Sequence, residues 1–85
     1  GQPAVGLLDE ILARGRAAGI FRPDVDAFDV HLLISSYCVF QVANQYTFKY
    51  LFDRDLHQQP LSGHLRSMLG DVVVAWLETK PPKEA

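Results

Sequence analysis

Three histidines, one cysteine and a scatter of hydroxyls and carboxylates are the residues of this sequence that could act on a substrate or hold a metal. His57 and His64 lie seven apart across a proline-containing loop. No His or Cys pair has the close spacing of a structural zinc site. His31 stands one turn from Ser35, and Ser62-Gly63-His64 puts a hydroxyl near an imidazole. Neither arrangement has the strand, elbow glycines and base-orienting partner that activate a nucleophile. Asp53, Asp55 and Gln58 resemble a calcium loop only faintly, without the central glycine and the closing bidentate glutamate. No catalytic residue, metal or cofactor is expected from this set, and the hydroxyls and imidazoles read as satisfied or solvated polar groups. Cys38, flanked by apolar residues, reads as a small hydrophobe. Three amides, Gln41, Asn44 and Gln45, close an otherwise apolar run. They could line a cavity, pair across a dimer axis or face water.

The elements that position these residues are helical. Leu7, Leu8, Ile11, Leu12 and Ala18 recur at i, i+3, i+4 spacing, which predicts a first helix over 4–18. Gly19 sits where a left-handed residue ends a helix, and Ile20 and Phe21 follow as an apolar pair placed to fold back on its last turn. Asp26 is a good N-cap, with Asp29 adding negative charge at the positive helix end, so a second helix is expected over 26–46. Asn44, Gln45 and Thr47 predict its end or a kink, and a short helical turn follows near 48–52. A third helix is expected over 62–79, stopped by Pro81 and Pro82.

Residues placed ~100° apart around the second helix form two opposed apolar faces. One carries Phe28, Leu32, Val39, Val42 and Tyr46 with the small Ser35, Ser36 and Ala43; the other carries Val30, Leu33, Ile34, Tyr37, Phe40 and Phe48. The apolar arc of the third helix, through Leu65, Met68, Leu69, Val72, Val73, Trp76 and Leu77, is about 200° wide on the same wheel.

That is more apolar surface than a chain of 85 residues can hide. A body of this size buries only about 60–65% of its unfolded surface, yet 48% of its residues are hydrophobic and 21% charged. Such a composition excludes disorder, a disulfide scaffold and a large enzyme. The chain reads as all-α, and a symmetric dimer in which the second and third helices of each copy meet would use the surplus. A monomeric three-helix bundle is the alternative. Eight Lys and Arg against ten Asp and Glu give a net charge of −2 and no basic stripe, so this segment alone is not expected to bind DNA. Neither apolar stretch, Val30 to Val42 or Val72 to Leu77, approaches the roughly 20 residues of a membrane span. No signal peptide pattern opens the chain, and a cytoplasmic setting is expected.

The run Leu12-Ala13-Arg14-Gly15, then Gly19-Ile20-Phe21-Arg22 with Asp24-Val25-Asp26, then His31-Leu32-Leu33-Ile34-Ser35, resembles the C-terminal domain of TetR-family transcriptional regulators. So do Val42 to Phe48, His64 to Leu69 and Asp71-Val72-Val73. The resemblance covers about Leu7 to Leu77. It implies a dimerisation and effector-sensing domain of a regulator, most often a repressor, whose operator DNA is bound by a helix-turn-helix that this sequence lacks. On that reading residues 1–85 are a single helical domain, a fragment holding the last three main helices. A small apolar effector is implied as a partner, with Tyr37, Phe40 and Gln41 as candidates for the ligand-facing wall; the competing account packs them on the first helix or on helices outside the sequence. The candidate dimer residues are Val39, Val42, Ala43, Tyr46, Leu65, Met68, Val72 and Trp76, with the two faces of the second helix open to exchange. A small helical adaptor that docks another protein's amphipathic helix is the rival function.

Overall fold

A computed structural model describes residues 2–81 of the chain as three helices: α1 (Gln2–Ala17), α2 (Ala27–Phe52) and α3 (Leu61–Glu78). The all-α expectation holds. Among the described residues no helix is long and apolar enough to cross a membrane.

The α1–α2 connection follows from local chemistry. Gly19 takes φ 73°, the left-handed conformation that costs glycine least, and the Ile20 amide then reaches the Gly15 carbonyl at 2.9 Å. Phe21 turns back so closely that its ring lies against Gly15, which is buried and has no side chain to resist it. Ile20, by contrast, stays exposed. A Gly15→Ala change therefore sets a methyl into the Phe21 ring. We expect a net loss of about 1–2 kcal/mol, overpacking offset in part by alanine's better helix propensity. Gly6→Ala on the same helix meets nothing within 4 Å. Urea unfolding should therefore show it neutral or stabilising, and equal effects at the two sites would contradict this packing.

Asp26 caps α2 as expected, accepting from the Phe28 amide at 3.0 Å. Asp29 completes a reciprocal capping box by accepting from the Asp26 amide at 3.1 Å. The far end of α2 departs from the expectation. The helix continues without a break through Phe52, so 48–52 is its last turn rather than a separate one. The amides expected to break it are absorbed: Asn44 donates to the Phe40 carbonyl and Gln45 to the Val42 carbonyl of their own helix. Phe40, Phe48 and Phe52 stack along one side, with ring centroids 5.6 and 5.1 Å apart. The helix stops only at Asp53, in the left-handed conformation. At 26 residues α2 is about 39 Å long.

A small core sits at one end of the molecule. Leu12 of α1, Val25 of the loop, Ala27 and Val30 of α2 and Leu77 of α3 are buried together, with Leu8, Phe21, Val73 and Trp76 packed around them. Arg22 fastens the loop to the end of α3: its amide donates to the Leu77 carbonyl at 2.7 Å and its guanidinium lies 4.3 Å above the Trp76 ring. The same guanidinium bonds Asp24 at 2.7 Å, and that hydrogen bond holds the Asp24 carboxyl below the usual range.

Beyond this core the chain opens out. Its radius of gyration is 15.7 Å, against about 12 Å for a compact domain of this length. Its accessible surface is 6405 Å², against about 5,000 Å² for a folded monomer of its mass.

Candidate functional site

The two sides of α2 meet different fates. On the side of Val30, Tyr37 and Phe48, Val30 is buried and the other two half-buried, while Leu33, Ile34 and Phe40 of the same face remain exposed. Phe28, Leu32, Val39, Val42, Ala43 and Tyr46 all lie exposed on the opposite side, Val42 at 60% and Tyr46 at 78%. On α3, Met68 and Val72 are likewise exposed.

Two of the eight candidate dimer residues, Trp76 and Leu65, are half-buried within the chain. Trp76 packs against the core and carries Arg22 on its face. Leu65 is half-buried, and its carbonyl accepts the Tyr37 hydroxyl at 3.5 Å, a long bond where α2 crosses α3. Both are engaged within the chain, which leaves Met68 and Val72 as the free apolar side chains of the α3 set. Cys38, read from the sequence as a small hydrophobe, is exposed beside Val39, Val42 and Ala43.

Tyr37, Phe40 and Gln41, read as candidates for a ligand wall, do come together. They line a groove of about 420 Å³ between α2 and α3. Leu33, Ser36 and Phe48 extend the α2 wall, and Leu56 and Leu65 complete it from the other side. Among the described residues no charged side chain lines it. Of the three amides in doubt, Asn44 and Gln45 turn back on their own helix, and Gln41 borders both this groove and a second one beside it. Sequence reasoning missed Leu56, which comes from the 53–60 loop and is buried at 8%. Its one signal was being the only apolar side chain in a polar loop apart from the proline.

A second groove shares Leu56 and Gln41 with the first and is more polar, with His57, Gln59, Ser62 and Arg66 in its wall. Gln59 is occupied there, accepting the Gly63 amide at 3.0 Å and so standing in for a cap that Pro60 does not supply. Among the described residues no three His, Cys, Asp or Glu side chains cluster to hold a metal. The Nε2 atom of His31 is shielded from solvent without a hydrogen-bond partner.

The comparisons with known proteins agree in kind. Residues 1–73 match the family described as "Tetracyclin repressor-like, C-terminal domain". The chain is similar to the HTH-type transcriptional repressor NicS of Pseudomonas putida, 30% identical over 74 residues. That alignment takes in 87% of this chain and 35% of the repressor, so the chain spans about a third of the relative's length.

Proposed function

The chain belongs to the tetracyclin repressor-like C-terminal domain family, and from that membership we propose that it is the dimerising and effector-sensing part of a TetR-type transcriptional regulator. The observation that carries this reading is the open face of α2, where Phe28, Leu32, Val39, Val42 and Tyr46 are exposed on one side of a helix whose other side packs at Val30, Tyr37 and Phe48. An accessible surface of 6405 Å² exceeds that of a compact monomer by roughly 1,300 Å². The excess is comparable with the roughly 800 Å² that each partner gives to a standard protein interface.

The groove of Tyr37, Phe40 and Gln41 supports the effector-sensing half of the proposal, as an almost wholly apolar concavity of the size that holds small ligands. An effector in it would act by its different affinity for two arrangements of the intact regulator, since a ligand that binds both equally shifts nothing. DNA recognition, and repression like that in the relative's name, would belong to the intact protein. The chain is then a binding module rather than an enzyme, acting in the cytoplasm on DNA that other segments read.

Sedimentation equilibrium of the 85-residue chain tests the dimer directly. A dimer is expected at tens of micromolar, dissociating on dilution as mass action requires. A stable, fully helical monomer at that concentration would overturn it and favour the adaptor reading.

A further inference from the structure

We infer that Arg22 is a positioning residue that clasps the α1–α2 loop onto the end of α3 and so fixes the direction of α1; with the clasp released, α1 pivots about Leu12 while α2 and α3 stay paired.

The end of α3 needs what the loop brings. A helix finishes on carbonyls without partners of their own and on a partial negative charge, which cations offset. The last turn of α3 carries no basic residue, and Thr79 at its cap bonds only the Trp76 and Ala75 carbonyls. The Leu77 carbonyl takes the Arg22 amide at 2.7 Å, and the Arg22 guanidinium lies 4.3 Å above the Trp76 ring. Lys80, just past the helix, donates back to the Gly19 carbonyl at 2.9 Å and closes the clasp from the other side.

The guanidinium is committed to this place. The Arg22 side chain is only 11% exposed, and a charge so far out of water needs partners that face it. Trp76 offers its ring face, and the two carboxylate oxygens of Asp24 accept from the guanidinium at 2.7 and 3.3 Å.

Two anchors set a direction where one does not. The first is the middle of α1, held in the core by Leu12 and Leu8, while Leu7 and Ile11 are exposed. A rod held at one point turns about it. The second anchor is the last turn of α1, where Arg16 donates to the Val25 carbonyl at 3.0 Å and Phe21 lies against Gly15, and the loop carries that turn to α3. From Leu12 back to its start α1 runs about 15 Å, so a tilt of about 10° displaces that end by roughly 3 Å. The α2–α3 crossing has its own tie, from the Tyr37 hydroxyl to the Leu65 carbonyl. A shift at the end of α3 is therefore passed to α1 through Arg22.

Double electron–electron resonance on the 85-residue chain tests this, with Cys38→Ala removing the native thiol and spin labels at Asp9→Cys on α1 and Ser67→Cys on α3, both exposed positions. Diluting labelled into unlabelled chain confines the reading to distances within one copy. The parent should give one narrow peak. Arg22→Met, which keeps the backbone amide and removes the cation, should raise the population outside that peak about fivefold. Labels at Thr47→Cys and Ser67→Cys, across α2 and α3, should keep their distribution in the same variant. Arg22→Lys still sets a cation over Trp76 and should keep the parent's α1–α3 peak. An unchanged peak in Arg22→Met, or equal broadening in Arg22→Lys, would overturn the clasp. Broadening of both label pairs, or loss of helicity by circular dichroism, would make Arg22 a support of the whole fold and overturn the pivot.

Discussion

Replacing Val42 with aspartate is expected to convert the chain from dimer to monomer while leaving its helices in place. Val42 is 60% exposed in the single chain. A substitution there disturbs little within the protomer, where surface changes usually stay within about ±0.5 kcal/mol. In a symmetric dimer built on the open face of α2 the same residue enters the interface twice, and two carboxylates are desolvated close to each other. Like charges brought together across an interface cost several kcal/mol, and even about 3 kcal/mol raises the dissociation constant more than 100-fold. Sedimentation velocity should show the monomer at concentrations where the parent chain is dimeric, with an unchanged far-ultraviolet circular dichroism spectrum at high concentration. Val74→Asp is the control. Val74 is exposed on α3 but lies roughly 160° around the helical wheel from Val72, away from the proposed interface, so its dimer should persist. A dimer unaffected by Val42→Asp, or broken equally by both changes, would mean that another surface carries the association.

Leu12→Ala is expected to have the largest effect on stability. Leu12 is 1% exposed and is the most deeply buried large side chain among the described residues. It touches the point where all three helices and the α1–α2 loop converge, through Val25, Ala27, Val30 and Leu77. Truncating a fully buried leucine costs about 2–5 kcal/mol, partly through the cavity left behind. The total stability of a small domain is about 5–15 kcal/mol, and a core of so few buried residues has little to replace what is lost. For a domain of 60–100 residues each kcal/mol moves the melting temperature by about 4–8 °C, so a fall of at least about 10 °C is expected in a thermal scan at fixed chain concentration. A change below about 3 °C would place the stabilising contacts elsewhere. Because association adds to stability, Leu12→Ala should weaken dimerisation as a consequence of unfolding, whereas Val42→Asp should weaken it without unfolding. The order in which helicity and mass are lost separates the two.

The helices, the caps at Gly19 and Asp26 and the TetR-type family were legible in the sequence, because each rests on neighbours along the chain. Gly19 ends α1 and Asp26 begins α2 through bonds that span no more than a few residues. The two apolar faces of α2 could be drawn from a wheel for the same reason. What the wheel could not decide was which face is occupied, because that depends on residues far away: Leu77 and Val73 close on Val30, and Leu65 closes on Tyr37. The groove was half legible. Tyr37, Phe40 and Gln41 lie on one helix and could be grouped by spacing, whereas Leu56 arrives from a loop that no periodicity describes.

The unbroken run of α2 shows the same division. Asn44 and Thr47 have poor helix propensity, and the amides of Asn44 and Gln45 can compete for backbone bonds, but propensity is a weak prior once side chains find partners. Two of those amides bond back to α2, and the Phe40, Phe48 and Phe52 rings brace the turns on either side. The sequence by itself determined that this chain has more apolar surface than its length can enclose, since composition and size alone set that balance. Tertiary structure decided where the surplus stands, because only the packing of α1 and α3 on one side of α2 leaves the Val39 and Val42 side uncovered.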